Sequence, residues 1–359
     1  MLRSLANVMA EFSKFSFCEM GGLEYEDPNG DTTKYSTEEY IESLNHGLDA
    51  HLAPKIGLMY KVEERIDEKG NYTRVTHLRA SESSSDEYIR RKLERWADEL
   101  HRKNKNNNDG EEDEDEVEDV AMQIDGCKVF LSLVLDCMPA ASLANQSQAS
   151  DTQKETFVIS PPDLNWQNIL IDPDTFDVVG LIDWDMIQTA PRYLGYITPP
   201  IFLGDNWYET YAPPGRPDYM PSLLMHYRNI YADFLSDALE GKGDARFAHK
   251  SNIFCAVMLG LNSGALAFEV AGKILQLIAP RLYAEGYFEE IGRNDGFREA
   301  EEEWLRERLK PLLECRVESV RERKMAKEML MMKFTPWFRG WRCSWKSWEC
   351  LIDFCNCST

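Results

Sequence analysis

The stretch Ser160-Pro-Pro-Asp163-Leu-Asn-Trp-Gln-Asn168-Ile-Leu-Ile-Asp172, followed by Asp177-Val-Val-Gly180-Leu-Ile-Asp183-Trp-Asp185, decides how this chain is read. Two short runs, Asn168–Asp172 and Asp177–Asp183, are rich in β-branched residues and flank a Pro/Asp turn. That pattern predicts a β-hairpin. Asn168 opens the first strand and Asp183 closes the second, so antiparallel pairing returns the chain to its starting point. Asp163 sits on the loop that feeds the first strand. Three oxygen-bearing side chains are therefore expected at one end of a small sheet.

Asp-x4-Asn alone carries little information, since average composition produces roughly one such pair in a chain of this size. The hairpin gives it weight. Phosphoryl transfer needs a carboxylate that orients an attacking hydroxyl and accepts its proton. It also needs hard oxygen ligands for Mg²⁺ on the nucleotide phosphates. Asp163 suits the first role, and Asn168 with Asp183 the second. The competing reading makes all three ordinary turn and capping residues.

The same residues resemble the aminoglycoside phosphotransferase/choline kinase-like family, in particular its fungal members. The hallmark of that family is His-x-Asp-x4-Asn followed by a strand pair ending in Ile-Asp-Trp-Glu/Asp. Asp163, Asn168, Ile182, Asp183, Trp184 and Asp185 match it. Leu2–Lys14 resembles the helix after the hinge in such proteins, and Thr189–Gly195 resembles part of their helical lobe. The resemblance spans about residues 1–315 and is densest over 157–196. It implies the large lobe of a protein-kinase-like fold, mainly α with a small β-hairpin. It also implies ATP-dependent transfer of phosphate to a hydroxyl of a small molecule, with Mg²⁺ and ATP as cofactors. The sequence departs from the pattern in two ways. Pro161 stands where the family has histidine, and Pro161-Pro162 can stiffen the loop by fixing φ. The chain opens directly into the post-hinge helix, with no Gly-x-Gly-x-x-Gly and no Walker-type loop. The nucleotide-binding lobe is thus expected to be absent from this chain, and Mg²⁺-ATP to bind weakly. The alternative function is a non-catalytic, pseudokinase-like or truncated interaction module.

The composition bounds the remaining possibilities. The chain has 359 residues, 43% of them hydrophobic, enough for one large domain or two ordinary ones. The formal charge is −22, and setting aside the nine acids of Asp109–Asp119 still leaves −13. Such a surface repels phosphate backbones, so nucleic acid is not an expected partner. The start lacks the apolar core of a signal peptide. The most apolar run, Ile253–Ile278, contains Asn262, Ser263, Glu269 and Lys273, which predicts a buried core helix. The nine cysteines have no framework spacing and read as reduced thiols in a cytosolic or nuclear setting, and with no signal peptide or transmembrane helix the expected location is cytoplasmic.

Apolar spacing predicts helices over residues 1–15, from Ser36 to about Ala50, after Ser85, and over Cys127–Cys137. Others are expected near Tyr219–Leu239, Ala245–Leu282 and Asn294–Cys315. His101–Asp119 is charged and low in complexity and is expected to be disordered. Ala141–Glu155 is expected to be a polar loop, and the stretch after Trp184 an aromatic and Pro-rich loop. Asp172, Asp174 and Asp177 superficially resemble a calcium loop. Asp177, however, occupies the place of the glycine that such a loop requires. No His-x3-His, HExxH or Gly-x-Ser-x-Gly occurs. Residues 316–359 form a basic extension. From Arg321 onward it has eight Lys/Arg against four acids, with Trp337, Trp341, Trp345 and Trp348 at helical spacing. Contact with a membrane interface, zinc binding by its cysteines, packing on the body of the protein and a non-native coding segment all compete for it. The small-molecule substrate is not encoded in any motif.

Overall fold

A computed structural model describes residues 1–24, 55–66, 72–107, 114–139, 155–161, 163–207 and 221–315. The chain divides between Cys315 and Arg316, and the described residues all lie on the N-terminal side. The architecture is mainly helical, with small two-stranded antiparallel sheets. The expected helix at Ser36–Ala50, nearly all of the Ala141–Glu155 loop and the basic extension lie outside the described residues.

Helix α1 (Leu2–Glu11) buries Leu5, Ala6 and Met9, as its spacing predicts. It packs on α4 (Pro221–Ala238), where the Arg3 guanidinium lies 4.4 Å over the Phe234 ring. Four strands follow that sequence reasoning did not anticipate as a group. β1 (Leu23–Glu24) pairs with β2 (Lys55–Ile56), and β3 (Met59–Ile66) forms a hairpin with β4 (Tyr72–Arg79).

Helices α2 (Ser85–Asn107) and α3 (Glu114–Cys137) correct the expectation of disorder over His101–Asp119. Helix enters this segment from both sides, and only 108–113 lies outside the described residues. Antiparallel contacts hold the two helix ends. Asn104 Nδ2 donates to the Val117 carbonyl at 3.0 Å, and His101 Nε2 meets Asp125 Oδ1 at 3.0 Å. The charges therefore ride on helices already anchored by Ile89, Leu93 and Trp96, all buried. Composition alone misses this because it counts charge without asking what the opposite face touches.

At the other end of α2, Glu155 Oε2 accepts the Ser85 N–H at 2.9 Å, while its Oε1 has no hydrogen-bond partner. Burial raises the Glu155 carboxyl above its ordinary value of 4.5. In the window above 4.5 the folded chain holds a proton that the unfolded chain has released. Stability therefore falls as pH rises through that window, and the full penalty is present at neutral pH. Glu155→Gln keeps an acceptor for Ser85 and removes the penalty. It is expected to raise the thermal midpoint at neutral pH and to lose that advantage near about pH 4. Midpoints measured at both values decide the matter, and a lower midpoint at neutral pH sinks the argument.

The predicted helix Ala245–Leu282 is three elements: a 3₁₀ turn (Gly243–Phe247), α5 (Ser251–Gly260) and α6 (Gly264–Ile278). The chain turns at Leu261–Ser263 so that α5 and α6 pack on each other. A Cβ on Gly260 would lie 3.1 Å from the Ala267 Cα, so glycine sets the closeness of that turn. Both helices are core elements, burying Phe254, Val257, Val270 and Ile274. No helix among the described residues is long and apolar enough to cross a membrane.

Helix α7 (Ala284–Arg293) was not anticipated, and α8 (Glu299–Leu313) starts later than its pattern suggests. Asp295 and Gly296, both at positive φ, separate the two. α7 crosses α3 at a glycine pair. A Cβ on Gly126 would lie 1.7 Å from the Phe288 carbonyl oxygen, and one on Gly292 would lie 1.9 Å from that of Met122. Neither clash involves a flexible side chain, so the helices would have to separate. Gly126→Ala is expected to cost about 2–3 kcal/mol of unfolding free energy in denaturant titrations. A loss near zero would show that the crossing can open freely.

Within the loop expected after Trp184, the structure has one more strand, β8 (Gln188–Pro191). It pairs with β5 (Phe157–Ser160), the short apolar run just before the motif. Thr189 is buried there and ties in the N-terminal segment, its Oγ1 accepting the Gly21 N–H at 2.9 Å and donating to the Glu19 carbonyl at 2.8 Å.

Candidate functional site

The predicted hairpin is present as β6 (Ile169–Ile171) paired with β7 (Val178–Leu181). Leu170 faces Gly180, and the register shifts between Leu170 and Ile171. Asp172 builds the turn, its Oδ1 accepting the N–H groups of Asp174 at 2.8 Å and Thr175 at 2.9 Å. These backbone donors hold its carboxyl below the usual aspartate range. Asp172 therefore serves the turn rather than a calcium ion.

Just before β6, the chain makes a 3₁₀ turn over Trp166–Asn168, capped by Asn165 Oδ1, which accepts the Trp166 N–H at 2.8 Å. This turn points Asn168 back at the preceding loop. Asn168 is buried, and its Nδ2 donates at 3.0 Å both to the Asp163 carbonyl and to Asp163 Oδ2. The amide thus fixes the backbone and the carboxylate of Asp163 together. With its nitrogen committed, Asn168 has an amide oxygen left to offer a cation.

On the second strand, the Ile182 N–H donates to the Asn168 carbonyl at 3.0 Å and extends the pairing past β7. Asp183 follows at φ 61°, a left-handed conformation rare for a residue with a side chain. Trp184 anchors that turn. Its indole N–H donates to the Leu181 carbonyl at 2.9 Å, and its ring lies 5.4 Å from that of Phe12 just after α1. Ser4 of α1 also accepts the Val178 N–H at 2.9 Å. The first helix of the chain therefore holds the hairpin from below.

The result is one shallow cleft lined by Pro161, Asp163, Leu164, Asn168, Ile182, Asp183 and Trp184. The structure brings the three predicted residues together. Asp163 is half-buried, Asn168 is buried and the Asp183 carboxylate is exposed. Pro161 lines the same cleft. The loop is braced by its own backbone: Asn165 N–H donates to the Asp163 carbonyl at 2.8 Å and Ile201 N–H to the Leu164 carbonyl at 3.0 Å. Sequence reasoning missed Leu164 and Ile201, since nothing in their local pattern marks them.

No family model matches the chain, and no curated protein and no solved structure matches it. The donors of the cleft are an amide oxygen and carboxylates, the hard oxygen ligands that Mg²⁺ accepts alongside several waters. Among the described residues, no group of three or more His, Cys, Asp or Glu could hold a metal by itself.

A second polar centre shares no residue with the lining of the cleft. Asp244, in the 3₁₀ turn that precedes α5, is buried. It accepts Arg192 Nε at 2.7 Å and the Tyr196 hydroxyl at 2.8 Å. Burial and the adjacent Asp244 carboxylate raise the Tyr196 hydroxyl well above its ordinary value. Arg192 also reaches Thr156 Oγ1 at 3.2 Å. The network joins the residues after β8, the start of β5 and the turn before α5.

Proposed function

We propose that residues 1–315 form the large lobe of a protein-kinase-like small-molecule phosphotransferase, with the Asp163 cleft as its active site. The observation that carries this reading is the double hydrogen bond from the Asn168 amide to Asp163, in the same cleft as Asp183. Asp163 orients the substrate hydroxyl and takes its proton. Asn168, through its amide oxygen, and Asp183 are the residues that would hold Mg²⁺, which when bound would supply neutralisation of charge on the transferring phosphoryl group. Beside the cleft, the hairpin turns an apolar face outward. Leu170 is 45% exposed, Val179 67% and Ile182 46%, a surface suited to a nucleobase. The absence of any glycine-rich phosphate loop from the sequence favours a second reading, a non-catalytic lobe of the same fold.

Mn²⁺ binding followed by electron paramagnetic resonance tests the metal site. Weak binding is expected, about millimolar, because few ligands come from protein, and Asp183→Ala should remove it. Unchanged binding in Asp183→Ala would overturn the assignment. Metal binding without ATP-dependent phosphate transfer to any hydroxyl compound would favour the non-catalytic reading.

A further inference from the structure

A groove of about 580 Å³ runs between α2 and the turn that leads into α6, and it shares no residue with the Asp163 cleft. Five cations line it: Arg79, Lys92, Arg95, Arg102 and Lys103. Among the described residues, two acids, Asp98 and Glu99, share its walls. This inverts the balance of the whole chain, which carries 40 basic against 62 acidic residues. Glu99 is already engaged by Lys103 at 2.9 Å. The Arg79 and Arg95 side chains make no ion pair or hydrogen bond with any described residue, and Arg95 is exposed. Lys92 reaches across the groove to Asn262 Oδ1 at 2.6 Å, which fixes its ammonium at the far wall.

That far wall is also polar in the right sense. Ser263 and Gly264 line the groove at the start of α6. The Ser263 side chain makes no capping bond, and the first turn of α6 contains no acid. The start of α6 adds the positive end of the helix dipole to the arginine cluster.

We propose that this groove binds a compact oligophosphate anion. The volume is that of a small-molecule site. Guanidinium groups with no carboxylate partner among the described residues match phosphate oxygens bidentately. A duplex or long nucleic acid is disfavoured by the charge of the surrounding surface, which falls outside the groove's short reach. The site is independent of the phosphotransfer reading, since neither Asp163 nor Asp183 contributes to it.

Calorimetric titration of the full chain with inorganic tripolyphosphate is the test. Saturable binding with a Kd of about 10–100 μM is expected, weakening as ionic strength rises. The double variant Arg79→Ala/Arg95→Ala should weaken it roughly tenfold or more, and Arg95→Lys much less. Hydrogen exchange in the parent chain should slow over Lys92–Lys103 and Asn262–Gly264 when the anion is bound. Asp183→Ala should bind as the parent does. Three outcomes overturn the proposal: no saturable binding, equal binding by the double variant, or a loss in Asp183→Ala, which would place the anion in the other cleft. Binding only to phosphoinositide vesicles, with none to soluble tripolyphosphate, would assign the basic face to a lipid surface and overturn it as well.

Discussion

Under the proposed phosphotransfer function, Asp163→Ala is expected to lower ATP-dependent phosphate transfer by about 10²–10⁴-fold, the usual contribution of a positioned proton acceptor. The geometry sharpens this expectation. Asp163 is held at two points by one amide, through its carbonyl and through Oδ2. Alanine removes the carboxylate and one of these bonds but leaves the backbone bond in place. Loss of activity could then reflect either missing chemistry or a relaxed loop. Asp163→Asn separates the two. Its side-chain oxygen can still accept from Asn168, so the loop stays fixed while the proton acceptor is gone. Both variants should lose activity, and only the alanine variant should show a loosened loop in hydrogen exchange over 161–168. If either variant kept full activity, the proton would be taken elsewhere and the assignment of Asp163 would be wrong.

Asp244→Ala is expected to cost about 3–5 kcal/mol of unfolding free energy. The carboxylate is 2% exposed and the Arg192 side chain 20%. Removing the acid leaves a largely buried guanidinium and a buried phenol facing an empty position. Attraction lost is only part of this cost, because the stranded cation has been taken from water without compensation. Asp244→Asn should cost less, since the amide oxygen can still accept from one of the two donors. Denaturant titration of the three proteins is the measurement. A loss below about 1 kcal/mol for the alanine variant would mean that water reaches the network.

Local signals made the hairpin legible in the sequence. β-Branched runs of the right length flank a Pro/Asp turn, and Asp172 closes that turn through its own side chain. The spacing from Asp163 to Asn168 is equally local, since one 3₁₀ turn suffices to direct the amide back onto the loop. Helix α1 and the buried face of α2 followed from apolar spacing, because each packs a single stripe against the core.

What sequence patterns missed depended on distant partners. α7 is a short helix, and what decides its position is the glycine crossing with α3, more than 150 residues earlier in the chain. β8 looks like loop sequence and becomes a strand only because β5 offers it an edge. The break between α5 and α6 lies inside a continuously apolar run, and only their mutual packing reveals it. The charged ends of α2 and α3 are helical because each end holds the other. The cations of the groove are spread from Arg79 to Lys103, and the turn that completes its wall comes at Leu261–Gly264. Short-range hydrogen bonds and side-chain spacing are written in neighbouring residues, so the sequence by itself determined the hairpin and its three polar side chains. Close approach of backbones, shared buried charges and grooves between helices exist only once the chain has folded on itself, so the tertiary structure alone decided them.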